Sequence, residues 1–309
     1  MLSSTSSSGA AAGFLRKVNP TIIFVIFTFA YMYYVAVFCV IIPWFEYSVP
    51  GVTNIGVLSI NTALALYCYV YCIYLDPGRV PDEWEPDSED APSVQEVKKK
   101  GGARFCQKCQ RHKPPRSHHC RVCQRCILRM DHHCLWLNNC IGHANYKAFL
   151  MFLIYITAAL VHVLGLLASH TLHALSHSQQ HRVMRAGPQG KPVNLASGGF
   201  ESVWVWAALQ TIAFALALPL TIGLAMLLAW HIQLVLTNKT TIEFQEGVTA
   251  SITGPRTGEE YEHPYDLGVY NNLHQILGRS HSTWLCPPCA PDPGGTQYPT
   301  QWEDHLAQH

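Results

Sequence analysis

The sequence predicts an α-helical integral membrane protein: four transmembrane helices, with a cytosolic cysteine-rich domain between spans two and three. Three observations predict it. Only 13% of the 309 residues are charged and 49% are hydrophobic, whereas a soluble chain carries about 25% charge. The apolar residues are bunched into four stretches without Asp, Glu, Lys or Arg: Thr21–Ile42, Val52–Leu75, Phe149–Ser169 and Val203–Leu236. Seven of the twelve cysteines lie from Cys106 to Cys140, between the second and third stretches.

Each stretch is long enough to cross a hydrocarbon core, which takes about 20 residues. Buried helices of a soluble protein are the alternative. The first stretch is too long for a signal peptide, whose apolar region is about 7–15 residues, and no small-residue cleavage site follows it. Lys and Arg set the orientation. Arg16 and Lys17 precede span one, the turn Pro43–Pro50 has no basic residue, and the loop Asp76–Asn145 has twelve. Lys239 follows span four, while the loop between spans three and four holds only Arg182, Arg185 and Lys191. Both termini and the long middle loop are therefore expected in the cytosol. The chain divides into a disordered, Ser-rich N-terminus (1–20), spans one and two (21–75), a linker and Cys-rich domain (76–145), spans three and four with their loop (146–236), and a tail (237–309). Pro81–Glu96, with seven acids and three prolines, reads as a solvated linker.

The net charge is only +1, yet Lys98–Arg129 holds eleven basic residues and no acidic one. Such a run is either a solvated face near the membrane or a seat for phosphates or anionic lipid. Thiols in a cytosolic loop stay reduced, so the cysteines are expected to bind metal or do chemistry. They form a repeat. Cys106, Cys109, His119 and Cys126 read C-x2-C-x9-H-x6-C, and fourteen residues on the pattern recurs as Cys120, Cys123, His133 and Cys140. Three thiolates and one imidazole make a structural zinc shell, so two zinc ions are expected. Other partitions stay open: Cys123 and Cys126 also form a C-x2-C pair, and His118 or His132 can replace its neighbour.

Cys134 is left over. A third copy of the repeat needs Cys at 137 and 154 and His at 147, where Leu137, Ile154 and Lys147 stand. A thiolate is the nucleophile, and a cation or basic partner favours it. Asp131 and His132 precede it, and an acid orienting an imidazole that activates a thiol is the logic of nucleophilic catalysis. The plain alternative is a structural Asp131–His132 hydrogen bond beside a buried, inert thiol.

Asp131-His132-His133-Cys134, set in a Cys-rich domain between spans two and three, resembles the DHHC protein S-acyltransferases (palmitoyltransferases). The likeness runs from Phe105 to about Phe152, including "RSHHCRVCQRCILRMDHHC" and "NNCIGHANYKAFLMF". Asp76-Pro77-Gly78 resembles the family's DPG motif and Thr240-Thr241-Ile242-Glu243 its TTxE motif. "HPYDLGVYNNLHQILG" resembles its C-terminal motif, with Tyr265 and Asn272.

The resemblance implies palmitoyl transfer from palmitoyl-CoA to protein cysteines in two steps, through an S-acyl group on Cys134 made reactive by His132 and Asp131. It implies that both zinc ions are structural, and that the four helices form a tapering cavity for the chain. A palmitoyl chain has about fifteen carbons to shelter, at about 0.8 kcal/mol each, so a nucleophile at the membrane surface is apt. Trp136 is a candidate for the cavity mouth or a packing residue. Arg111, Lys113 and Arg116 are candidates for the CoA phosphates, with Lys147 at the start of span three. Thr240, Thr241 and Glu243 are expected close to the site and bonded to Asp131, or the threonines simply bond free carbonyls of the helix end. Leu273, Ile276 and Leu277 fit a short amphipathic helix, with Asn272 bonding backbone groups. Implied partners are membrane lipid, palmitoyl-CoA and cysteine-bearing proteins, with no nucleic acid. The implied location is the endoplasmic reticulum or Golgi.

The family usually has Pro after the reactive Cys, where Leu135 stands here. Leu frees φ and restores an N–H, which puts rate or chain selectivity in question. Cys39, Cys68 and Cys72 read as packing residues. Cys286 and Cys289 are candidates for acylation or metal, or belong to an unmodified tail. A RING-like partner-binding module is the second reading, but a RING ends in a C-x2-C pair that this cluster lacks. An inactive scaffold is the third, but it would have lost Asp131, His132 or Cys134.

Overall fold

A computed structural model of the chain describes residues 19–86, 93–96, 104–185, 200–247, 249–253, 260–288 and 294–301. Outside the described residues lie Met1–Gly13, Arg16, Lys17, Lys98–Lys100, Lys191 and Cys289. The side chains of Arg182 and Arg185 are likewise not described.

Four helices are long and apolar enough to cross a membrane: Pro20–Phe45, Val49–Tyr74, Tyr146–Ser176 and Trp204–Leu236. They belong to α1 (Pro20–Tyr34), which continues through a π-helical segment, Val35–Ile41, into α2 (Ile42–Phe45), and to α3 (Val49–Tyr74), α4 (Tyr146–Arg185) and α5 (Phe200–Leu236). Hydrocarbon offers no hydrogen-bond partner, so each apolar stretch closes its own backbone bonds as helix. The chain divides into two compact units, Phe24–Ala65 with Leu153–Leu227, and Met1–Ile23 with Leu66–Phe152 and Leu228–His309.

The first unit is a helical core. Val35, Ala36, Val40 and Ile41 are buried with Leu58, Ala159, Val163, Leu167, Ala213 and Ala217. The alanines let backbones approach closely, which is how helices associate where lipid is as apolar as Leu. Phe27, Ile60, Ile222 and Met226 face outward, as lipid-facing residues do. The π segment, which the composition did not suggest, stands just before Pro43. That proline has no N–H for the carbonyl of Cys39, and Gln210 Nε2 donates to this carbonyl instead, at 2.9 Å. Cys39 is buried in this core.

The second unit holds the cysteine-rich domain. It contains three short antiparallel hairpins: β2 (Phe105–Cys106) with β3 (Arg111–His112), β4 (His118–Cys120) with β5 (Arg125–Ile127), and β6 (His132–Cys134) with β7 (Asn139–Ile141). Their registers repeat: Cys106 faces Arg111, Cys120 faces Arg125 and Cys134 faces Asn139. Each turn carries one left-handed residue, Gln110 (φ 53°), Gln124 (φ 54°) and Asn138 (φ 49°). The fourteen-residue period thus makes three hairpins from two metal motifs. Cys134 occupies the knuckle position that Cys106 and Cys120 hold in the other two.

The Asp76-Pro77-Gly78 segment fastens to this domain. Gly78 O accepts from Leu128 N at 2.9 Å and Pro77 O from Ala144 N at 3.1 Å. Gly142 lies against them, and a Cβ there would sit 2.7 Å from Pro77 O and 2.8 Å from Leu128 O. Only glycine fits so close an approach. Asn139 Nδ2 donates to the carbonyls of Cys72 (2.9 Å) and Leu75 (2.8 Å) at the end of α3. These bonds satisfy groups that a helix terminus leaves open.

The tail adds α6 (Thr241–Glu246), β8 (Thr249–Thr253), β9 (Glu260–Glu262) and α7 (Val269–Leu277). α7 is the expected amphipathic helix, and Asn272 Nδ2 donates to Leu236 O at 2.8 Å, at the end of α5. One feature differs from the linker expected between Pro81 and Glu96. Residues 93–96 form β1 (Ser93–Glu96), which pairs antiparallel with β8, itself paired with β9. Local composition hides such a strand because its partner is about 150 residues away in sequence. α4 also begins before the charge-free stretch, and takes in Lys147, because that ammonium finds carbonyl acceptors at Leu277 (2.7 Å) and Thr283 (2.9 Å).

Candidate active site and metal centres

Two groups of four ligands assemble on the three hairpins. Cys106, Cys109, His119 and Cys126 form one, and Cys120, Cys123, His133 and Cys140 the other, each with its donor atoms within 4.8 Å of one another. Both imidazoles present Nδ1. In the first group Nδ1 of His119 lies 3.6 and 3.2 Å from the sulfurs of Cys106 and Cys109, and the sulfurs of Cys109 and Cys126 are 3.8 Å apart. In the second, Nδ1 of His133 lies 3.5–3.6 Å from Cys120, Cys123 and Cys140, and Cys123 and Cys140 are 3.5 Å apart. A tetrahedral zinc with Zn–S of about 2.3 Å has edges of about 3.8 Å, so the donor sets fit zinc. The geometry selects one of the partitions left open above. His118 is not a donor in either group; it faces Arg104 at 3.4 Å, and burial with that cation lowers its pKa to about 3.

The two groups interleave. β4 sends His119 to the first and Cys120 to the second. β6 has the same His-His-Cys sequence, and its His133 closes the second group. Cys134, the equivalent of Cys120, belongs to neither. Leu137, buried in place of a second knuckle cysteine, leaves it without a metal partner. Cys134 is half-buried.

His132 lies near enough to Cys134 for the thiol to favour the protonated imidazole. Its Nδ1 lies 2.7 Å from Asp131 Oδ2. Asp131 is fully buried. Its oxygens also accept from Thr241 N and Thr241 Oγ1, both at 2.9 Å. Burial disfavours the Asp131 carboxylate, but the His132 hydrogen bond and charge outweigh it and hold the group below the usual carboxylate range. Burial likewise disfavours the His132 imidazolium, yet Asp131 and Cys134 push it up to about 9. His132 can therefore hold a proton beside Cys134.

The chain is 41% identical over 282 residues to "Probable protein S-acyltransferase 16" of Arabidopsis thaliana, across 90% of this chain and 92% of that one. Residues 99–248 match the DHHC palmitoyltransferase family. The chain belongs to that family. It is also 37% identical over 262 residues to "Probable protein S-acyltransferase 15" of the same plant (83% and 92% of the two chains). To "Palmitoyltransferase ZDHHC6" of Danio rerio it is 36% identical over 249 residues (77% and 56%). As a DHHC palmitoyltransferase it is a protein S-acyltransferase, which transfers palmitoyl to protein cysteines.

The TTxE residues of this palmitoyltransferase divide three tasks. Thr240 caps α6 in a capping box with Glu243: its hydroxyl accepts from Glu243 N, and its N–H donates to Glu243 Oε2. Thr241 holds Asp131. Glu243 receives Arg116, with Nε to Oε1 and Nη2 to Oε2 both at 2.7 Å. Arg116 is a correction to the sequence reading, which offered it to CoA phosphates. It is 1% exposed, its Nη1 donates to Asn238 Oδ1 at 3.0 Å, and its guanidinium lies over Tyr265 at 4.5 Å. A group so enclosed cannot reach a surface phosphate. Lys147 likewise points to the carbonyls of Leu277 and Thr283. Arg111 remains half-exposed, paired with Asp82, and Lys113 is half-buried.

Trp136 is 56% exposed and Leu135 69% exposed, so Trp136 is not a core packing residue. The turn beneath them is held through its backbone. Thr21 Oγ1 donates to Leu135 O at 3.1 Å and Tyr69 Oη to Trp136 O at 2.8 Å. These bonds restrain the segment where the family has proline.

His231, on α5, was missed. It is buried, its ring centroid is 6.1 Å from that of His132, and its Nδ1 is 3.1 Å from Tyr146 Oη. Asp131, His132 and His231 bring donor atoms within 4.8 Å of one another. Both Asp131 oxygens already accept hydrogen bonds, so the group reads as a hydrogen-bonded network. An ionisable side chain in an apolar span is a functional signal by default, and His231 carried that signal.

The Arg116–Glu243 pair yields a stability prediction. Burial raises the Glu243 pKa, but the Arg116 charge and hydrogen bonds outweigh it and bring it from 4.5 down to about 2. A depressed carboxylate pKa contributes stability that is fully present above the unfolded value, about 4.3, and that is lost as pH falls toward about 2. Glu243→Gln is expected to destabilise this unit by about 3–5 kcal/mol, since it leaves a buried guanidinium unpaired. It should also flatten the acid limb of the unfolding profile. Thermal unfolding of both proteins between neutral pH and pH 3 measures both effects; an unchanged Tm would refute the role given to the pair.

Proposed function

We propose that Cys134 carries the palmitoyl group between palmitoyl-CoA and the protein substrate, with His132 moving the proton and Asp131 holding His132. In the first step the Cys134 proton passes to His132. The Cys134 thiolate attacks the thioester carbon, the bond from that carbon to the CoA sulfur breaks, and the CoA thiolate takes the proton back from His132. In the second step a substrate cysteine gives its proton to His132 and attacks the Cys134 thioester. Cys134 leaves as thiolate and recovers the proton. Atoms balance in each half, and no redox partner is needed. Thr241 and the capped α6 keep Asp131 oriented, and His231 packs beside His132.

Two zinc ions on the eight Cys and His ligands would crosslink the hairpins and set the β6–β7 backbone. All eight donors are protein atoms, which is the pattern of closed structural sites. Arg111 and Lys113 are the surface cations offered to CoA phosphates, and Trp136 stands by the acyl chain. The domain division given above, both termini and the Cys-rich domain on the cytosolic side, and an endoplasmic reticulum or Golgi membrane belong to the same reading.

One observation carries it: Cys134 holds a metal-knuckle position, lies outside both metal groups, and stands on the same short strand as an imidazole that a buried carboxylate orients. The test is acyl loading. Purified protein with alkyne-tagged palmitoyl-CoA should take up hydroxylamine-labile label and pass it to a cysteine-bearing protein. Folded, zinc-loaded protein that takes no label would overturn the proposal.

A further inference from the structure

A second cavity in the unit that holds the cysteine-rich domain has no part in the chemistry above. It measures about 880 Å³ and lies among the start of α4, the end of α7 and residues 294–299. Asp131, His132 and Cys134 are not in its lining. Arg129, Lys147 and Arg279 are, with His143, and none of the described lining residues is acidic.

Arg129 is the anomaly. It is 4% exposed, lies over the Tyr146 ring at 4.7 Å, and its Nη2 has no hydrogen-bond partner among the described residues. The carboxylate that acts on it, Glu243, is bound through both oxygens by Arg116. Asp131 is held by His132 and Thr241. A buried guanidinium without its own anion is costly. Gln275 repeats the deficit in the same lining. Its Oε1 accepts from Asn238 at 2.8 Å, while its Nε2 is buried without a partner. Lys147, also in the lining, donates to the carbonyls of Leu277 and Thr283.

The described wall therefore holds three cations and two buried donor atoms with no acceptor among the described residues. Its complement is an anion with several acceptor oxygens. The volume falls within the range of small-molecule sites, about 300–1,000 Å³, and exceeds what a bare phosphate fills. Ile276, Leu277, Pro287 and Pro288 add apolar lining for the body that carries the charge. Tyr146, in the lining, is also the first residue of the third apolar span, so a lipid headgroup can reach the cavity. We propose that this cavity binds a phosphate-bearing small molecule, either an anionic phospholipid headgroup or a soluble phosphate ester, with Arg129, Lys147 and Arg279 supplying the charge.

The test uses full-length protein in detergent and three probes: dioctanoyl phosphatidic acid, dioctanoyl phosphatidylcholine and inorganic pyrophosphate. Phosphatidic acid should raise the Tm of the wild type and phosphatidylcholine should not. A shift with pyrophosphate as well identifies the source as a soluble phosphate ester; a shift with phosphatidic acid alone identifies a lipid headgroup. Arg129→Gln should remove the response. Arg279 is exposed, so Arg279→Ser keeps the fold, and it should weaken phosphatidic acid binding about tenfold, the effect of about 1.4 kcal/mol. No Tm shift with either anionic probe, or an Arg279→Ser protein that binds as the wild type does, would overturn the proposal.

Discussion

Cys134→Ala takes no label from alkyne-tagged palmitoyl-CoA, yet stays folded and keeps two zinc ions per chain. This is the result expected from the geometry. The thiol belongs to neither ligand group, so its loss leaves eight metal donors in place. It is half-buried on a short strand, β6, so shortening it opens no large cavity. Loading, in contrast, has lost its acceptor. Removing the nucleophile of a catalytic unit costs on the order of 10⁶-fold in rate, far below what a labelling gel detects. Cys134→Ser should be equally silent, because an alkoxide is not available at neutral pH as a thiolate is. The contrast of label against zinc content separates chemistry from folding. Hydroxylamine-labile label persisting in the alanine variant would move the thioester to another thiol, with exposed Cys286 the first to examine.

Stripping zinc with a strong chelator abolishes loading too, although Cys134 binds no metal. Apparent binding energies of structural zinc sites are about 10–16 kcal/mol, and in small domains that energy is folding energy. The hairpins are two to three residues per strand, too short to persist alone. Because the groups interleave through β4, losing one loosens the other. His132 and Cys134 sit on β6 beside His133 of the second group, so collapse of that group is expected to disperse the proposed catalytic pair. Cys140→Ser should act like the chelator on both zinc stoichiometry and loading. Zinc-free protein that loads at the wild-type rate would show the metals to be dispensable.

Much of this site was legible from residue types alone. Chelation needs soft donors at set intervals, so eight Cys and His at a fourteen-residue step defined two ligand sets and isolated Cys134. The backbone consequence was not legible. With Leu137, Lys147 and Ile154 in place of ligands, the third copy fails as a metal motif, yet its backbone still forms the hairpin. Turn geometry depends on a left-handed residue at Asn138, not on sulfur. Arg116 shows the opposite error. A basic residue in a basic run reads as surface, and only the arrival of Glu243, 127 residues later, makes it interior. β1 was hidden likewise, because its partner is remote in sequence.

What the amino-acid sequence by itself determined is the set of four apolar spans, the repeat of eight Cys and His able to pair into two metal groups, and the thiol that this repeat leaves over. Those follow from length, charge and donor chemistry, which are properties of residues taken singly or at short spacing. Only the tertiary structure decided which histidines join the metal groups, that Thr241 holds Asp131, that Arg116 is buried on Glu243, and that Arg129 lines a cavity with no hydrogen-bond partner for its Nη2 among the described residues. Those depend on distances between segments far apart in the chain, and such distances exist only once burial has brought the segments together.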